Sequence, residues 1–265
     1  MQTATPSTTA VMPPLEHIPA VPVDDLHLRL GFSEPLQAAE SSKRKPLHRW
    51  KMETDDAPIF RYLYRSFAPR RHLEFGTWQG DGALYCLEES AATVWTINLL
   101  GGESRDDGTW AYGELMENNG VNVAWSERQD SPDENKSWYR TDALGFIGHK
   151  IHRGGYGHRV CQIYSDSREW DDSQYPDGLF DTVLIDGSHE PDVVAADTEK
   201  SLRLLRTGGL MLWHDFCPDP IARKACESVA GVTTAISRLQ STLDTAFSDV
   251  FWIQPSWILV GMRNR

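Results

Sequence analysis

Hydrophobic positions change their spacing from one stretch of this chain to the next, and the spacing predicts the elements. Short apolar runs at 71–75, 93–99, 159–164, 180–185 and 210–214 have the length of buried strands, and the stretches 82–89, 192–205 and 220–243 read as helices. Ile59, Phe60, Leu63 and Phe67 place a further helix over 56–67, ahead of the first run. Gly231 falls within the last helical stretch and marks a point where it can divide. Two final runs, 250–253 and 257–262, are joined through Gln254, Pro255 and Ser256 and read as an antiparallel pair closing one edge of a sheet. Strands alternating with helices in this way predict an α/β fold, a doubly wound and mostly parallel sheet in a single domain.

Three stretches do not follow the alternation. Residues 1–24 combine Pro, Thr and Ala without apolar periodicity, which predicts a disordered or loosely draped leader ahead of a domain over 25–265. Leu26, Leu28, Leu30 and Phe32 alternate, as a short strand or lid segment would. The connection 100–158 is long and polar with scattered aromatics; it reads equally as a functional lid or as a surface elaboration.

Composition narrows the partners. A net charge of −12, from 38 acidic and 26 basic residues, argues against a general nucleic-acid binder and for a small-molecule substrate. No run approaches the ~18 apolar residues of a membrane span, and the start lacks a secretory signal, so a cytoplasmic protein is the expectation. Cys86, Cys161, Cys217 and Cys226 show no paired spacing and read as reduced packing thiols. Oligomeric state, including a homo-oligomer, stays open.

The chemistry concentrates at strand ends. Leu73-Glu74-Phe75-Gly76-Thr77-Trp78-Gln79-Gly80-Asp81-Gly82 is an apolar strand running into a glycine-rich turn that opens a helix, where the backbone can approach a ligand closely. Its glycine spacing is not the dinucleotide fingerprint. Phe180 to His189 supplies a second strand, ending Ile185-Asp186-Gly187-Ser188-His189, and Gly208-Gly209 opens a third that ends His214-Asp215. Ligand groups in open parallel sheets gather beyond the carboxyl ends of the strands, so Glu74, Asp166, Asp186, His214 and Asp215 should converge on one crevice. Asp197 and Glu199, in contrast, read as the solvated face of their helix or as partners of Lys200 and Arg203.

With these motifs in order, the chain over 59–262 resembles class I S-adenosylmethionine-dependent methyltransferases. Within the class it is similar to the branch of macrolide-sugar O-methyltransferases and cephalosporin hydroxylase-like proteins, which share the Ile-Asp-Gly-x-His and His-Asp strand ends. The resemblance implies a Rossmann-like sheet of seven strands with an antiparallel last strand. By position, Glu74, Gly76 and Gly80 would line the methionine half of S-adenosyl-L-methionine, with Thr77 and Trp78 flanking it, Asp166 and Ser167 beside the adenine, and Asp186 in the same crevice. Asn98 stands where most members carry an acid for the ribose hydroxyls, and Glu103 is a substitute for that contact. Asp186 and Asp215 match carboxylates that bind Mg2+, His189 would be the general base, and His214 is the second catalytic candidate.

The expected activity is O-methylation of a small molecule, a sugar or phenolic hydroxyl of secondary metabolism, with the metal assisting. Two alternatives stay open. One is transfer to nitrogen or carbon, or a diverged reaction on the same fold; the other is a non-catalytic cofactor-binding accessory protein.

Overall fold

The computed structural model of the protein describes residues 15, 18–39, 43–99 and 147–264. Its strands are β1 (Ala20–Pro22), β2 (Arg71–Phe75), β3 (Thr93–Asn98), β4 (Val160–Tyr164), β5 (Phe180–Ile185), β6 (Leu205–Trp213), β7 (Phe247–Gln254) and β8 (Leu259–Arg263). Among the described residues they form one eight-stranded sheet in the order β1-β7-β8-β6-β5-β2-β3-β4. All neighbours pair in parallel except β8, which runs against both β6 and β7.

The helices are α1 (Leu26–Leu30), α2 (Ala57–Phe67), α3 (Asp81–Glu89), α4 (His149–Arg153), α5 (Pro191–Leu204), α6 (Pro220–Ala225), α7 (Glu227–Arg238) and α8 (Gln240–Ala246). Alternation along the strands sends successive side chains to opposite faces, so the sheet needs cover on both. On β6, Met211 and Trp213 join a core with Val194 of α5, Val232 and Ile236 of α7 and Leu243 of α8. Leu210 and Leu212 turn the other way, into a core with Ile59, Phe60 and Leu63 of α2 and Ala83 and Leu87 of α3. This is the doubly wound arrangement that alternating strands and helices predict. No helix among the described residues is long and apolar enough to cross a membrane.

Four expectations are corrected. The sheet has an eighth strand because Ala20–Pro22, within the stretch read as a disordered leader, pairs in parallel with Trp252, Ile253 and Gln254 of β7. Residues 1–14 of that leader lie outside the described residues. The final two runs do pair antiparallel, but β8 inserts between β6 and β7, and β1 forms the edge. Leu26–Leu30 is a helix, stopped by Gly31 in the left-handed region at φ 69°; of its alternating leucines, Leu26 is buried and Leu28 is 71% exposed. The stretch 220–243 breaks at Cys226 and Leu239 rather than at Gly231. Gly231 lies inside α7, where a Cβ would stand 2.0 Å from the His189 carbonyl oxygen, so the glycine serves close packing and not a break.

Candidate functional site

The turn after β2 is shaped by contacts with the next strands. Gly76 has φ 97°, and a Cβ there would stand 2.1 Å from the Asp186 carbonyl oxygen, so only glycine lets this turn lie against the end of β5. The Gly76 amide donates to the Ile97 carbonyl at 2.9 Å and the Asp186 amide to the Phe75 carbonyl at 2.9 Å, tying three strand tips together. Asn98, at the tip of β3, accepts from the Thr77 and Trp78 amides through Oδ1, at 3.1 and 2.9 Å, and donates from Nδ2 to the Leu99 carbonyl at 2.7 Å. Its side chain is thus a clamp on the glycine-rich turn. A carboxylate could accept the same two N–H groups but could not donate to Leu99.

From the other side, the Gly148 amide donates to the Trp78 carbonyl at 2.7 Å, the Lys150 amide to the Gln79 carbonyl at 3.0 Å, and Lys150 Nζ reaches Asp81 at 2.6 Å. The last residues of the 100–158 connection therefore brace the turn; residues 100–146, with Glu103, lie outside the described residues. Within this frame Glu74 is 1% exposed and its Oε2 has no hydrogen-bond partner. Burial, reinforced by the Asp186 and Asp81 charges, pushes its carboxyl well above the usual carboxylate range. A buried, unpartnered carboxyl beside a cavity is a ready receptor for a ligand cation.

The ends of β5 and β6 hold a network of acids and histidines. His214 Nδ1 lies 3.0 Å from Asp186 Oδ1 and its Nε2 lies 3.1 Å from Asp56 Oδ2. Asp56, fully buried just before α2, also accepts from Trp50 Nε1 at 2.6 Å and from the Trp257 amide at 3.3 Å. Burial alone would lower the His214 pKa, but Asp215, Asp186 and Asp56 outweigh it and hold the imidazole well above its ordinary value. Beside it His189 Nε2 lies 2.6 Å from Asp215 Oδ2. Desolvation works against the Asp215 charge, yet His214 and His189 pull its pKa down to about 2. Asp215 and Trp78 both carry left-handed φ values, 57° and 39°, a conformation costing a side chain ~1–3 kcal/mol, and both border the cavity.

Glu74, Gly76, Thr77, Trp78, Asn98, Asp166, Ser167, Asp186, His189, His214 and Asp215 all line one cavity of about 900 Å³; Gly80 caps α3 behind the turn. The cavity is of the size that takes a cofactor together with part of a substrate. Asp166 is engaged by Arg168, whose Nη2 is 2.7 Å and backbone amide 2.9 Å from its carboxylate. Asp186, His189 and Asp215 each offer a ligand atom, and these atoms lie within 4.8 Å of one another. Two acids escaped the sequence reading. Asp56 carries no spacing signal in the sequence, and Asp197, which reads as solvated or as a partner of Lys200 and Arg203, is 1% exposed and lines the cavity.

A family model described as a methyltransferase domain matches residues 73–216, over half of the chain and the span from Glu74 to Asp215. The chain belongs to the methyltransferase-domain family. It is also similar in fold to solved structures of low sequence identity. An O-methyltransferase family protein from Burkholderia thailandensis is 13% identical at a TM-score of 0.50, covering 80% of this chain and 56% of that one. A Staphylococcus aureus protein provisionally named a caffeoyl-CoA O-methyltransferase is 14% identical at a TM-score of 0.50, covering 79% and 83%. The S-adenosylhomocysteine-bound methyltransferase PaMTH1 of Podospora anserina is 15% identical at a TM-score of 0.49, covering 86% and 83%. No curated protein matches this methyltransferase.

Proposed function

We propose that the protein methylates a hydroxyl oxygen of a small molecule, of the sugar or phenolic class. The observation that carries this reading is that one cavity is lined both by the orphaned Glu74 carboxyl and by His189 paired with Asp215. In this reading Glu74 and Gly76 hold the methionine half of the cofactor, Thr77 and Trp78 flank it, Asp166 and Ser167 stand at the adenine, and Gly80, expected at the methionine half, shapes the turn from behind the cavity lining. Asn98 acts through the turn it clamps rather than on the ribose, because its carbonyl oxygen already accepts two amides. Bound S-adenosylmethionine would supply the methyl group from its sulfonium and leave as S-adenosylhomocysteine.

His189 takes the proton of the acceptor hydroxyl, and the ionised Asp215 steadies the imidazolium that results. His214 is reassigned from catalysis to positioning: both of its ring nitrogens face carboxylates, which leaves it no basic nitrogen for an acceptor. As a cation fixed between Asp56 and Asp186, it sets where the Asp186 carboxylate points.

A second reading is favoured by the clustering of Asp186, His189 and Asp215. There the three side chains hold a divalent cation, Mg2+ suiting the two carboxylates, and His189 is the third ligand instead of the base. The ion would supply Lewis acidity that lowers the pKa of the acceptor hydroxyl. Incubation with methyl-labelled S-adenosylmethionine and a panel of sugars and phenols tests both. Label on an acceptor oxygen is expected; label on nitrogen or carbon, or none, contradicts O-methylation. Loss of turnover in EDTA with recovery in Mg2+ selects the metal, and unchanged turnover selects His189 as the base.

A further inference from the structure

Asp197 sits on the buried face of α5, with Val194, Ser201 and Leu204, and is 1% exposed. One of its carboxyl oxygens, Oδ1, has no hydrogen-bond partner although it is buried. An acceptor left in that state costs free energy unless a donor arrives. Asp197 also lines the cavity, as does Val193, one helical turn earlier on the same helix.

The position of Asp197 relative to the loop after β4 is fixed by its neighbour. Lys200 Nζ donates to the Ser167 carbonyl at 2.8 Å and to the Trp170 carbonyl at 2.7 Å, fastening that loop to α5. Asp166, the acid that the family resemblance puts beside the adenine, has its carboxylate occupied by the Arg168 guanidinium and amide. Two carboxyl groups thus border this end of the cavity, one paired internally and the other with an unmet acceptor.

We propose that Asp197 reads the exocyclic amine of the cofactor's adenine, accepting its N–H through Oδ1. The assignment rests on the cofactor reading above and adds to it a base-specific contact. An amine is the part of the ligand that supplies N–H donors on the edge of the base, and an aspartate without a proton accepts only. Burial pushes the Asp197 pKa up to about 7, against the Ser167 hydroxyl and the Lys200 charge, so a donor that favours the ionised form gains from meeting it there.

Calorimetric titration with S-adenosylhomocysteine and with S-inosylhomocysteine, in which a carbonyl oxygen replaces the amine, tests this. The wild-type protein should bind the adenosyl ligand tighter by ~10-fold or more, the effect of a hydrogen bond to a charged group. Asp197→Asn, close in shape, should narrow or invert that preference because its amide can donate to the inosyl carbonyl. Equal wild-type affinity for the two ligands overturns the proposal, as does an Asn variant that weakens both by the same factor. Should the variant not fold, equal wild-type affinity for the two ligands still overturns the proposal. If the wild-type protein binds neither ligand, the cofactor reading itself falls, an outcome distinct from binding both alike.

Discussion

Two parts of the cavity lining are built on opposite plans. At the glycine turn the backbone is tied down by Asn98, Gly148 and Lys150, while the buried acid Glu74 keeps an oxygen without a partner. At the β5–β6 end the buried groups answer one another: Asp56 and Asp186 bracket His214, and Asp215 meets His189. The first keeps an unmet acceptor, whereas the second has its partners in place before any ligand arrives. The contrast separates affinity from preorganisation. Changes at the first end should act chiefly on cofactor binding, and changes at the second on folding and on the reaction.

The largest effect should come from Asp56→Ala. Removing one carboxylate leaves the buried His214 cation with half of its pairing and orphans the Trp50 indole N–H, so stability should fall by about 3 kcal/mol or more, read from the urea midpoint at unchanged slope. A variant as stable as wild type would break the claim that this end is held by its own charges.

Gly76→Ala comes next. The new methyl would press on the Asp186 carbonyl from a left-handed backbone, which should cost about 1–3 kcal/mol of stability and displace the turn. Thermal melts with and without S-adenosylhomocysteine should show a lower melting temperature and a smaller ligand-induced rise. Asn98→Ala is the mildest of the three, losing two hydrogen bonds to the turn and weakening cofactor affinity by about 1–2 kcal/mol, roughly tenfold. A stability loss without any loss of affinity would blur the distinction between the two ends.

Much of this architecture is legible in the chain because β2 and β5 are continuous apolar runs bounded by turn residues, and their predicted limits coincide with the observed ones. The converging strand tips follow from the parallel topology, which brings Glu74, Asp186 and Asp215 to one cavity. Asp56 was illegible for a physical reason: its partner His214 is 158 residues away, and a single acid ahead of a helix carries no spacing signal. Asp197 misled because Thr198 and Ser201 on the same buried face are polar, so α5 lacks the clean apolar stripe that separates core from solvent. β1 is only three residues long and sits among prolines, and nothing local distinguishes it from the leader before it. Gly231 looks like a helix breaker until its contact with the His189 carbonyl is known.

The central claim is that the three strand tips form a cofactor cavity in which Glu74 awaits a ligand cation. A titration of the folded protein with S-adenosylhomocysteine, repeated in buffers of different ionisation enthalpy, tests it most directly. Burial raises the Glu74 pKa above the usual carboxylate range, and the ligand's ammonium favours the ionised form. One molecule should therefore bind per chain with release of a proton, and affinity should rise with pH until Glu74 ionises unaided. Absence of binding by the folded protein, or binding with proton uptake, would contradict the account.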